Sequence, residues 1–418
     1  MQINRIKGTK DIFFPEVSAW QYLEKTLRAL AESYFLSEIR TPIFENSDVF
    51  KRAIGDNTDI VSKEMFQFTD RGGRDICLRP EGTAGMVRAF VENSLHQFPA
   101  PRFFYMGPMF RAERPQKGRQ RQFHQAGIEI FNDESPLADL DVILFNLELF
   151  ERLGLDNYLF KLNSVGCPHC RPAYEEKLKA FWKPHVSSLC ANCNERYDKN
   201  ILRLLDCKEP SCQAVSQDAP SILNHLCEGC KSHLDELKSM LDTLKITYTL
   251  DPKIVRGLDY YVRTAFEIQL PDLGAQNAVC GGGRYDGLVS YFNPKLKVPA
   301  VGSAIGLERL IIALEQTGKL PGAQGTLDFY LIYSPEVARN TLLPVQKQLR
   351  QKNFSCLLSS QPRNFGKQFK EADRLGATKV LIFGETEQKN HTVSIKDMKS
   401  GSQTTEPLET WLSQLHKG

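Results

Sequence analysis

The chemistry most visible in the sequence is that of its cysteines, eight of which form four close pairs between Cys167 and Cys230. The pairs are Cys167 with Cys170, Cys190 with Cys193, Cys207 with Cys212, and Cys227 with Cys230. Such spacings let two thiolates bind one tetrahedral ion, so eight ligands predict two structural Zn²⁺ sites of four cysteines each. Free thiols or opportunistic disulfides are the alternative, and a reducing cytoplasm favours metal over disulfides. His169 is a weaker candidate ligand because it lies inside one of the pairs.

Three arginines stand in glycine- or proline-flanked segments: Arg111 in GPMFRAER, Arg256 in VRGLDYY and Arg309 in GLERL. Arginine stays charged and presents a planar fork of donors that suits phosphate. Taken singly, each of these arginines is more typical of an exposed surface. Only the motifs around them favour a phosphate-binding site.

The elements that must position these residues follow from hydrophobic periodicity. Residues 15–35 place apolar side chains at helical spacing and predict an amphipathic helix. The segments MFQFTD and DICLRP, joined by RGGR, predict two strands and a Gly-rich turn, and residues 83–95 return to helix. From Pro101, two apolar strands flank a strongly basic loop, which predicts a hairpin with a long tip. A further helix precedes the cysteine-rich segment.

The cysteine-rich segment, residues 165–245, is inserted into one larger domain, because strand-like and Gly-rich pieces resume after it. Residues 315–326 have the Gly, Pro and polar composition of a linker. Beyond them, short apolar strands alternate with helical segments, which predicts a small α/β domain. We therefore expect one domain at 1–323, which carries the insert, and a second at 327–418.

Composition limits the class of protein. A chain of 418 residues with 41% hydrophobic and 25% charged residues is typical of a globular protein with two or three domains. No stretch approaches the roughly 20 apolar residues of a membrane span, and the polar start lacks a secretory signal. The expected location is the cytoplasm, with no membrane partner. A net charge of +3 neither requires nor excludes a nucleic-acid partner.

Taken together, these segments resemble the three signature motifs of class II aminoacyl-tRNA synthetases. The stretch through Ile39, Pro42 and Phe44 resembles motif 1. The hairpin over 110–129 resembles motif 2, and GSAIGLERL, which contains Arg309, resembles motif 3. The order of the three segments along the chain is that of the class.

Further segments narrow the resemblance to the histidyl-tRNA synthetase family. RGLDYY at 256–261 and GGGRYDGL at 281–288 are similar to its two histidine-specific signatures, and LRPEGTAG at 78–85 extends the match. The resemblance implies an α+β class II catalytic domain, with an antiparallel sheet flanked by helices, and a C-terminal α/β anticodon-binding domain. It also implies that the insert lies over the acceptor stem, and motif 1 implies a symmetric homodimer.

The implied reaction activates L-histidine with ATP to histidyl-adenylate and pyrophosphate, and then transfers histidine to the 3′ end of tRNA(His). Negative charge accumulates at the α-phosphorus during activation, so fixed cations belong there. We assign Arg111 and Arg256 to that task. The resemblance implies Arg309 for the γ-phosphate, Phe123 for adenine stacking and Arg119 near the nucleotide. Mg²⁺ is expected to neutralise the polyphosphate.

Recognition of histidine requires groups that contact both imidazole nitrogens, because shape alone discriminates weakly. Glu129 and Tyr261 are the candidates for these contacts. The family pattern implies the other pocket residues: Glu81, Thr83 and Gln125 around the α-amino group, with Gly82 and Tyr260 lining the pocket. From the pattern alone, strand residues with solvated tips are the simpler interpretation of Glu129 and the tyrosines. A tight turn is the commoner use of three glycines such as 281–283, but Arg284 and Tyr285 directly after them favour a close backbone approach to a ligand.

The last domain carries basic residues near one helix and its flanks: Arg363, Lys367, Lys370, Arg374 and Lys379. Alone, such a helix is typical of a solvated face. The resemblance implies contact with tRNA, in which phosphates supply most of the affinity and unstacked anticodon bases supply specificity.

Two other functions agree with part of the sequence. A non-catalytic, histidine-sensing regulatory subunit of ATP phosphoribosyltransferase shares the fold. Such proteins lose motif residues and usually lack the anticodon domain, whereas this chain keeps both. A zinc-dependent nucleic-acid-binding protein accounts for the cysteines and leaves the other motifs unexplained.

Overall fold

The structure, a computed structural model, describes residues 3–55, 58–116, 118–255, 260–320 and 327–416, without the side chains of 275 and 276. The chain forms two compact units, Met1–Leu320 and Pro321–Gly418. The predicted catalytic residue Arg256 lies outside the described residues. None of the described helices has the length and apolar composition needed to cross a membrane.

The first unit alternates short strands with helices. Its strands are β1 (Ser37–Glu38), β2 (Phe44–Asn46), β3 (Gln67–Thr69), β4 (Asp75–Leu78), β5 (Arg102–Phe110), β6 (Gln122–Phe131), β7 (Leu159–Ser164), β8 (Thr249–Leu250), β9 (Val262–Gln269), β10 (Ala278–Arg284) and β11 (Ala300–Gly306). Its helices are α1 (Glu16–Ser33), α2 (Ser47–Ile54), α3 (Thr83–Glu92), α4 (Pro136–Arg152), α5 (Arg171–Trp182), α6 (Ala191–Lys199), α7 (Pro210–Ser216), α8 (Glu228–Thr243), α9 (Leu288–Phe292) and α10 (Leu307–Gln316). Short helical turns lie between them at Ile60–Glu64, Leu95–Gln97, Lys183–Ser188, Ile201–Leu204, Ile222–His225 and Pro271–Gln276.

One large sheet has the strand order β1-β5-β6-β11-β10-β9-β7-β8. Its interior pairs are antiparallel, and the two edge pairs, β1 with β5 and β7 with β8, are parallel. Strands β2, β4 and β3 form a small antiparallel sheet in that order. The expected class II fold, a largely antiparallel sheet flanked by helices, is confirmed.

Side chains along the large sheet alternate between two cores, as the pleat of a strand requires. Ile128 and Ile130 of β6 enter the core that α1, α4, α8 and α10 cover. Phe131 points to the opposite face and packs with α2, α3 and α9. Glu129 lies between Ile128 and Ile130 in β6, and successive side chains of a strand point to opposite faces. The side chain of Glu129 therefore lies on the same face as Phe131, on the α3 side of the sheet.

Several local predictions in this unit are confirmed. The helix expected over 15–35 is α1, and the one expected over 83–95 is α3, which ends earlier at Glu92. MFQFTD and DICLRP contain β3 and β4, which pair antiparallel. The hairpin expected after Pro101 is β5 with β6, joined by the long basic loop.

The cysteine-rich segment forms a small core of its own. Helices α5, α6 and α7 pack around Tyr174, Trp182 and Leu204, together with buried cysteines. Helix α8 then returns to the large sheet, where its apolar face joins the main core. The insert is therefore tied at both ends to the strands of the first unit.

The second unit is a five-stranded α/β domain with the order β13-β12-β14-β15-β16. Strand β12 pairs in parallel with both β13 and β14, and β15 and β16 continue the sheet antiparallel. The strands are β12 (Leu327–Tyr333), β13 (Cys356–Leu358), β14 (Ala377–Phe383), β15 (Thr392–Asp397) and β16 (Gln403–Pro407), and the helices are α11 (Arg339–Gln351), α12 (Phe365–Arg374), α13 (Glu385–Asn390) and α14 (Leu408–Gln414). The alternation of strands and helices confirms the predicted α/β class. Strand β16 was not predicted, because its sequence QTTEP lacks apolar alternation.

Candidate active site and cysteine sites

A cleft of about 230 Å³ opens on the α3 side of the large sheet. Its walls come from the start of α3, the β5–β6 hairpin, the strands β9 to β11 and the start of α10. The structure brings together most of the predicted site residues in its lining: Glu81, Thr83, Arg111, Arg119, Phe123, Gln125, Tyr260, Tyr261 and Arg309. Segments far apart in sequence therefore meet at one concave surface.

Arg111 is held in place by backbone and ring contacts. It follows the last residue of β5, and its Nε donates a hydrogen bond to the carbonyl oxygen of Pro80 at 3.0 Å. The guanidinium carbon lies 5.1 Å from the ring centroid of Phe123, so the cation covers one face of that ring. These contacts hold the positively charged guanidinium of Arg111 at the wall of the cleft.

Arg309 and Arg119 add two further cations. Arg309 lies on the first turn of α10 and donates to the carbonyl oxygens of Gly118 and Ala278. Burial lowers the pKa of Arg309, and the nearby charge of Arg119 lowers it further. Glu113 lies 3.1 Å from Arg119 and 3.8 Å from Arg111. A half-buried arginine beside two others favours an anionic ligand, and a polyphosphate fits this charge.

The polar part of the cleft contains an unsatisfied acceptor. Among the described residues, Oε1 of Gln125 is buried without a hydrogen-bond partner. A buried acceptor left unpaired is costly, so this oxygen suits a ligand N–H group. Glu81 accepts hydrogen bonds from the backbone N–H groups of Thr83 and Ala84 at 2.7 and 2.8 Å. Burial raises the pKa of Glu81, although these two donors act in the opposite direction.

Glu129 lies behind this polar part and is fully buried. Its Oε1 accepts hydrogen bonds from Thr83 Oγ1 at 2.8 Å and from the Tyr105 hydroxyl at 3.4 Å. Its Oε2 accepts one from the Tyr285 hydroxyl. Burial raises the pKa of Glu129 to about 8, although the hydroxyl donors act to lower it. The interpretation of Glu129, Tyr260 and Tyr261 as strand residues with solvated tips is wrong, since all three are buried.

Glycines make room for this buried network. A Cβ at Gly82 or Gly127 would overlap the ring of Tyr105, and a Cβ at Gly302 would overlap the carboxylate of Glu129. The triple glycine at 281–283 lies within β10 and is not a tight turn. There, a Cβ at Gly282 would overlap the backbone of β11. Gly82, which was predicted to line the pocket, is not one of the described residues that line the cleft, and its missing Cβ instead makes room for the ring of Tyr105.

Several residues of the site were not predicted from the sequence. Tyr105 was not singled out, because RFFYM is simply an apolar strand. Tyr285 stands in the GGGRYDGL motif, which was the available signal. Glu308, beside Arg309, accepts the backbone N–H of His124 at 2.9 Å and so docks the start of α10 on β6.

The eight paired cysteines gather into two groups of four: Cys167, Cys170, Cys227 and Cys230, and Cys190, Cys193, Cys207 and Cys212. All are free thiols, and in each group the Sγ atoms lie within 4.8 Å of one another. The Sγ–Sγ distances from Cys167 to Cys170 and to Cys227 are both 3.7 Å, and that from Cys190 to Cys207 is 3.8 Å. A tetrahedral zinc ion with Zn–S bonds of about 2.3 Å separates its sulfurs by about 3.8 Å. Both groups therefore fit a tetrahedral metal ion.

Backbone N–H groups donate to some of the cysteine sulfurs, whereas burial raises the pKa of Cys170, Cys193, Cys207 and Cys230. Cys227 N–H donates to Cys170 Sγ at 3.0 Å, and Cys190 N–H donates to Cys212 Sγ at 3.3 Å. Burial acts to raise the pKa of Cys167, but the backbone N–H groups of Cys170 and His169 bring it down to about 6. The thiolate is the form that binds metal. His169 belongs to neither described group of candidate ligands.

Comparison with known proteins agrees with this geometry. The family description "Histidyl-tRNA synthetase" matches residues 8–310, and "Anticodon binding domain" matches residues 329–417. A curated relative named histidine–tRNA ligase, from Halothermothrix orenii, is 44% identical over 419 residues, which cover 100% of both chains.

Solved structures give the same result. Apo histidyl-tRNA synthetase of S. aureus matches with a TM-score of 0.84 and 32% identity over 100% of both chains. A Bacillus halodurans C protein, named as an ATP phosphoribosyltransferase regulatory subunit/histidyl-tRNA synthetase, matches with a TM-score of 0.64 over 92% of this chain and 99% of that one. At 19% identity, this second likeness shows the fold alone.

Proposed function

The chain belongs to the histidyl-tRNA synthetase family, whose members are ligases that join histidine to tRNA, and from that premise we propose how the cleft performs the reaction. The observation that carries the proposal is that a cationic surface and a polar surface lie side by side in one cleft. Arg111, Arg119 and Arg309 concentrate positive charge, and next to them Gln125 and Thr83 present polar groups backed by Glu129.

The cationic part binds ATP. Arg111 and Arg256 stabilise the charge that develops on the α-phosphate when the histidine carboxylate attacks it, and Arg309 holds the γ-phosphate. Phe123 stacks on adenine, and Arg119 lies near the nucleotide. Mg²⁺ neutralises polyphosphate charge when it accompanies ATP, and the cleft carboxylates Glu113 and Glu267 are hard oxygen ligands suited to it. Attack at the α-phosphorus forms the histidyl-phosphate bond and releases pyrophosphate.

The polar part binds histidine. Glu81, Thr83 and Gln125 surround the α-amino group, and the Oε1 of Gln125 gains the donor that it lacks. A carboxylate accepts about four hydrogen bonds. The three hydroxyl groups around Glu129 therefore leave it able to accept an imidazole N–H. Tyr261 contacts the other nitrogen, and Tyr260 lines the pocket. A side chain without these donors leaves buried polar groups unpaired, which is the strongest basis for rejecting it.

The transfer step needs no strong protein base. The phosphate oxygen of the adenylate accepts the proton of the attacking ribose hydroxyl at the 3′ end of tRNA(His). The C-terminal unit binds the anticodon end through its exposed basic residues, which include Lys367, Lys370 and Arg374. We propose that the protein charges tRNA in the cytoplasm.

The proposed assembly is a homodimer with structural Zn²⁺ in both cysteine groups. Support for the dimer comes from large apolar side chains that stay exposed in and near the motif 1 stretch, such as Ile43, Phe44 and Phe68. Clustered exposed apolar groups are typical of surfaces that another chain covers. Support for zinc comes from the spacing of the sulfurs, described above.

The regulatory-subunit alternative is not adopted. Its likeness shows the fold alone, and the cleft of this chain keeps both its cations and its polar groups. A protein that only senses histidine has no need of the three arginines.

The test is ATP–pyrophosphate exchange with each standard amino acid. We expect exchange with histidine only, a decrease of about 100-fold or more in Arg111→Ala and in Arg256→Ala, and unchanged exchange in Arg114→Ala. Arg114 is the matched control because it is an exposed arginine in the same loop. A folded protein that binds histidine but exchanges no amino acid would overturn the catalytic role and favour the regulatory subunit.

A further inference from the structure

The first cysteine group, Cys167 with Cys170, Cys227 and Cys230, lies beside the strands that present the histidine pocket. Cys167 is the third residue after β7, and Ser164 at the end of β7 pairs with Thr264 of β9. Strand β9 begins directly after Tyr261. Val165 N–H donates to Arg263 O at 2.7 Å, and Arg263 N–H donates to Gly166 O at 2.9 Å. The paired strands β7 and β9 therefore connect this cysteine group to Tyr261, a predicted imidazole-binding residue.

Arg171 connects the cysteine group to that residue directly. It follows Cys170 and opens α5, and its backbone N–H donates to Cys167 O at 3.1 Å. Its guanidinium donates to two carbonyl oxygens, Val165 O through Nε at 3.1 Å and Tyr261 O through Nη2. A planar fork that bonds to two backbone carbonyls fixes their separation and direction. The side chain thus connects the end of β7 to the residue before β9.

A second series of contacts begins at the other pair of this group, Cys227 and Cys230. Helix α8 starts after Cys227 and carries His233, whose Nε2 lies 3.4 Å from Asp139 Oδ2. Asp139 binds the guanidinium of Arg284, and both side chains are fully buried. The next residue, Tyr285, donates to Glu129. Both pairs of the first group are therefore connected to groups that form the histidine pocket.

We propose that the first cysteine group, with its metal bound, positions the histidine pocket, and that Arg171 is the positioning residue that transmits this effect. The proposal rests on the assignments made above for the cleft and for zinc. The group joins the start of α5 to the start of α8, which are separated by a long stretch of chain. A metal ion shared by the four thiols would link α5 to α8 and so reinforce the hydrogen bonds by which Arg171 holds the backbone of Tyr261.

The second cysteine group, Cys190 with Cys193, Cys207 and Cys212, provides a comparison within the same insert. Two of its members, Cys190 and Cys207, line a different cleft of about 590 Å³, shared with Arg111 and Arg119. Near it, Arg196 forms an ion pair with Asp59 at 2.6 Å. These contacts lead to the cationic part of the active-site cleft, and Tyr260 and Tyr261 do not line this second cleft. Loss of the second group should therefore weaken histidine binding less than loss of the first, although residues 199–203, between its pairs, line a cavity together with Arg171 and Tyr261.

The experiment measures the Kd of histidine by calorimetry and the separate KM values for histidine and ATP, together with zinc content, in the full-length chain. The variants are Arg171→Met, Arg171→Lys and Lys177→Ala, which removes an exposed charge from the same helix. We expect the Kd and KM for histidine to rise about tenfold in Arg171→Met, since its carbonyl partners lose a charged donor. Zinc content, kcat and KM for ATP should not change, and Arg171→Lys should restore part of the affinity.

Unchanged histidine affinity in a folded Arg171→Met enzyme with full zinc would overturn the proposal. An equal rise in KM for histidine and ATP would overturn it too, because that result indicates general damage. If Arg171→Met does not fold, Arg171→Lys is judged by the same criteria.

A second comparison tests the metal itself. Cys230→Ser is expected to weaken histidine binding more than Cys212→Ser does. Equal effects of the two variants would contradict a role specific to the first group. A wild-type chain that binds no histidine would instead overturn the proposed function of the cleft.

Discussion

Glu129 shows how a single carboxyl can connect stability to substrate recognition. It lies on the α3 face of β6, fully buried, with three hydroxyl groups around it. Burial of a carboxyl disfavours its charged form. The pKa of Glu129 is accordingly raised to about 8 in the ligand-free chain. A ligand N–H that approaches the carboxylate reverses part of this effect, because it stabilises the charged form.

We predict that Glu129→Gln removes a pH dependence of stability. The unfolded-state pKa of about 4.5 lies below the folded value of about 8, so the folded chain retains a proton that the unfolded chain releases. The stabilisation that Glu129 gives the folded chain is complete below the unfolded-state pKa of about 4.5. It is lost as the pH rises towards the folded-state pKa of about 8. Between about pH 5 and 8, wild type should lose stability faster than the variant, by up to about 1.4 kcal/mol per pH unit.

Thermal unfolding of the ligand-free proteins across this pH range measures the difference. Glu92→Gln, which removes an exposed carboxyl from α3, is the control and should retain the slope of wild type. Identical slopes for wild type and Glu129→Gln would contradict the raised pKa. The same variant should bind histidine more weakly, since an amide cannot replace the carboxylate as a charged acceptor.

Among the helices and strands, local sequence patterns predicted those elements whose formation depends on residues close together in the sequence. The β5–β6 hairpin, α1, and the alternation of strands and helices in the second unit follow from periodicity. The contacts that shape the site depend on distant segments and could not be predicted in this way. Tyr285 reaches Glu129 across 156 positions of sequence, and only the pairing of β10 and β6 with β11 brings them together.

The cysteine insert shows the same limit. Spacing predicted that pairs would share an ion, but four pairs can be combined in more than one way. The fold selects a nested arrangement, in which the first pair joins the last and the two inner pairs join each other. This arrangement depends on α5 and α8 starting side by side, which their own sequences do not encode.

We predict that Cys193→Ser lowers the zinc content from two ions per chain to one and loosens the insert. Cys193 is fully buried in the small core that includes Trp182 and Leu204. Structural zinc sites contribute apparent binding energies of about 10–16 kcal/mol, far more than so small a core supplies. Metal analysis and limited proteolysis measure the two effects.

Cys356→Ser serves as the matched control, because Cys356 is a buried cysteine that belongs to neither described group. It should leave the zinc content unchanged. A Cys193→Ser protein that still holds two zinc ions would contradict the assignment of the second group.

In the whole molecule, we expect the two units to serve different steps of the reaction. The first unit contains the whole described cleft, and the second has its own cores and its own sheet. We expect activation of histidine to need only the first unit. We expect recognition of tRNA to need the second as well, because its family match is an anticodon-binding domain. The two half-reactions should therefore respond differently to changes in the second unit.

We predict that replacing Lys367, Lys370 and Arg374 with glutamine in the full-length chain leaves histidine-dependent pyrophosphate exchange unchanged and raises the KM for tRNA(His). These side chains are exposed on or beside α12, so their replacement should not disturb the cores. Phosphate contacts make binding salt-dependent, so the variant should also show a weaker dependence of tRNA affinity on salt. Replacement of Lys389 and Lys399, two exposed lysines of the same unit, is the control. An unchanged KM for tRNA would move the RNA-binding surface away from α12, whereas a loss of exchange would show that the two units are not independent in catalysis.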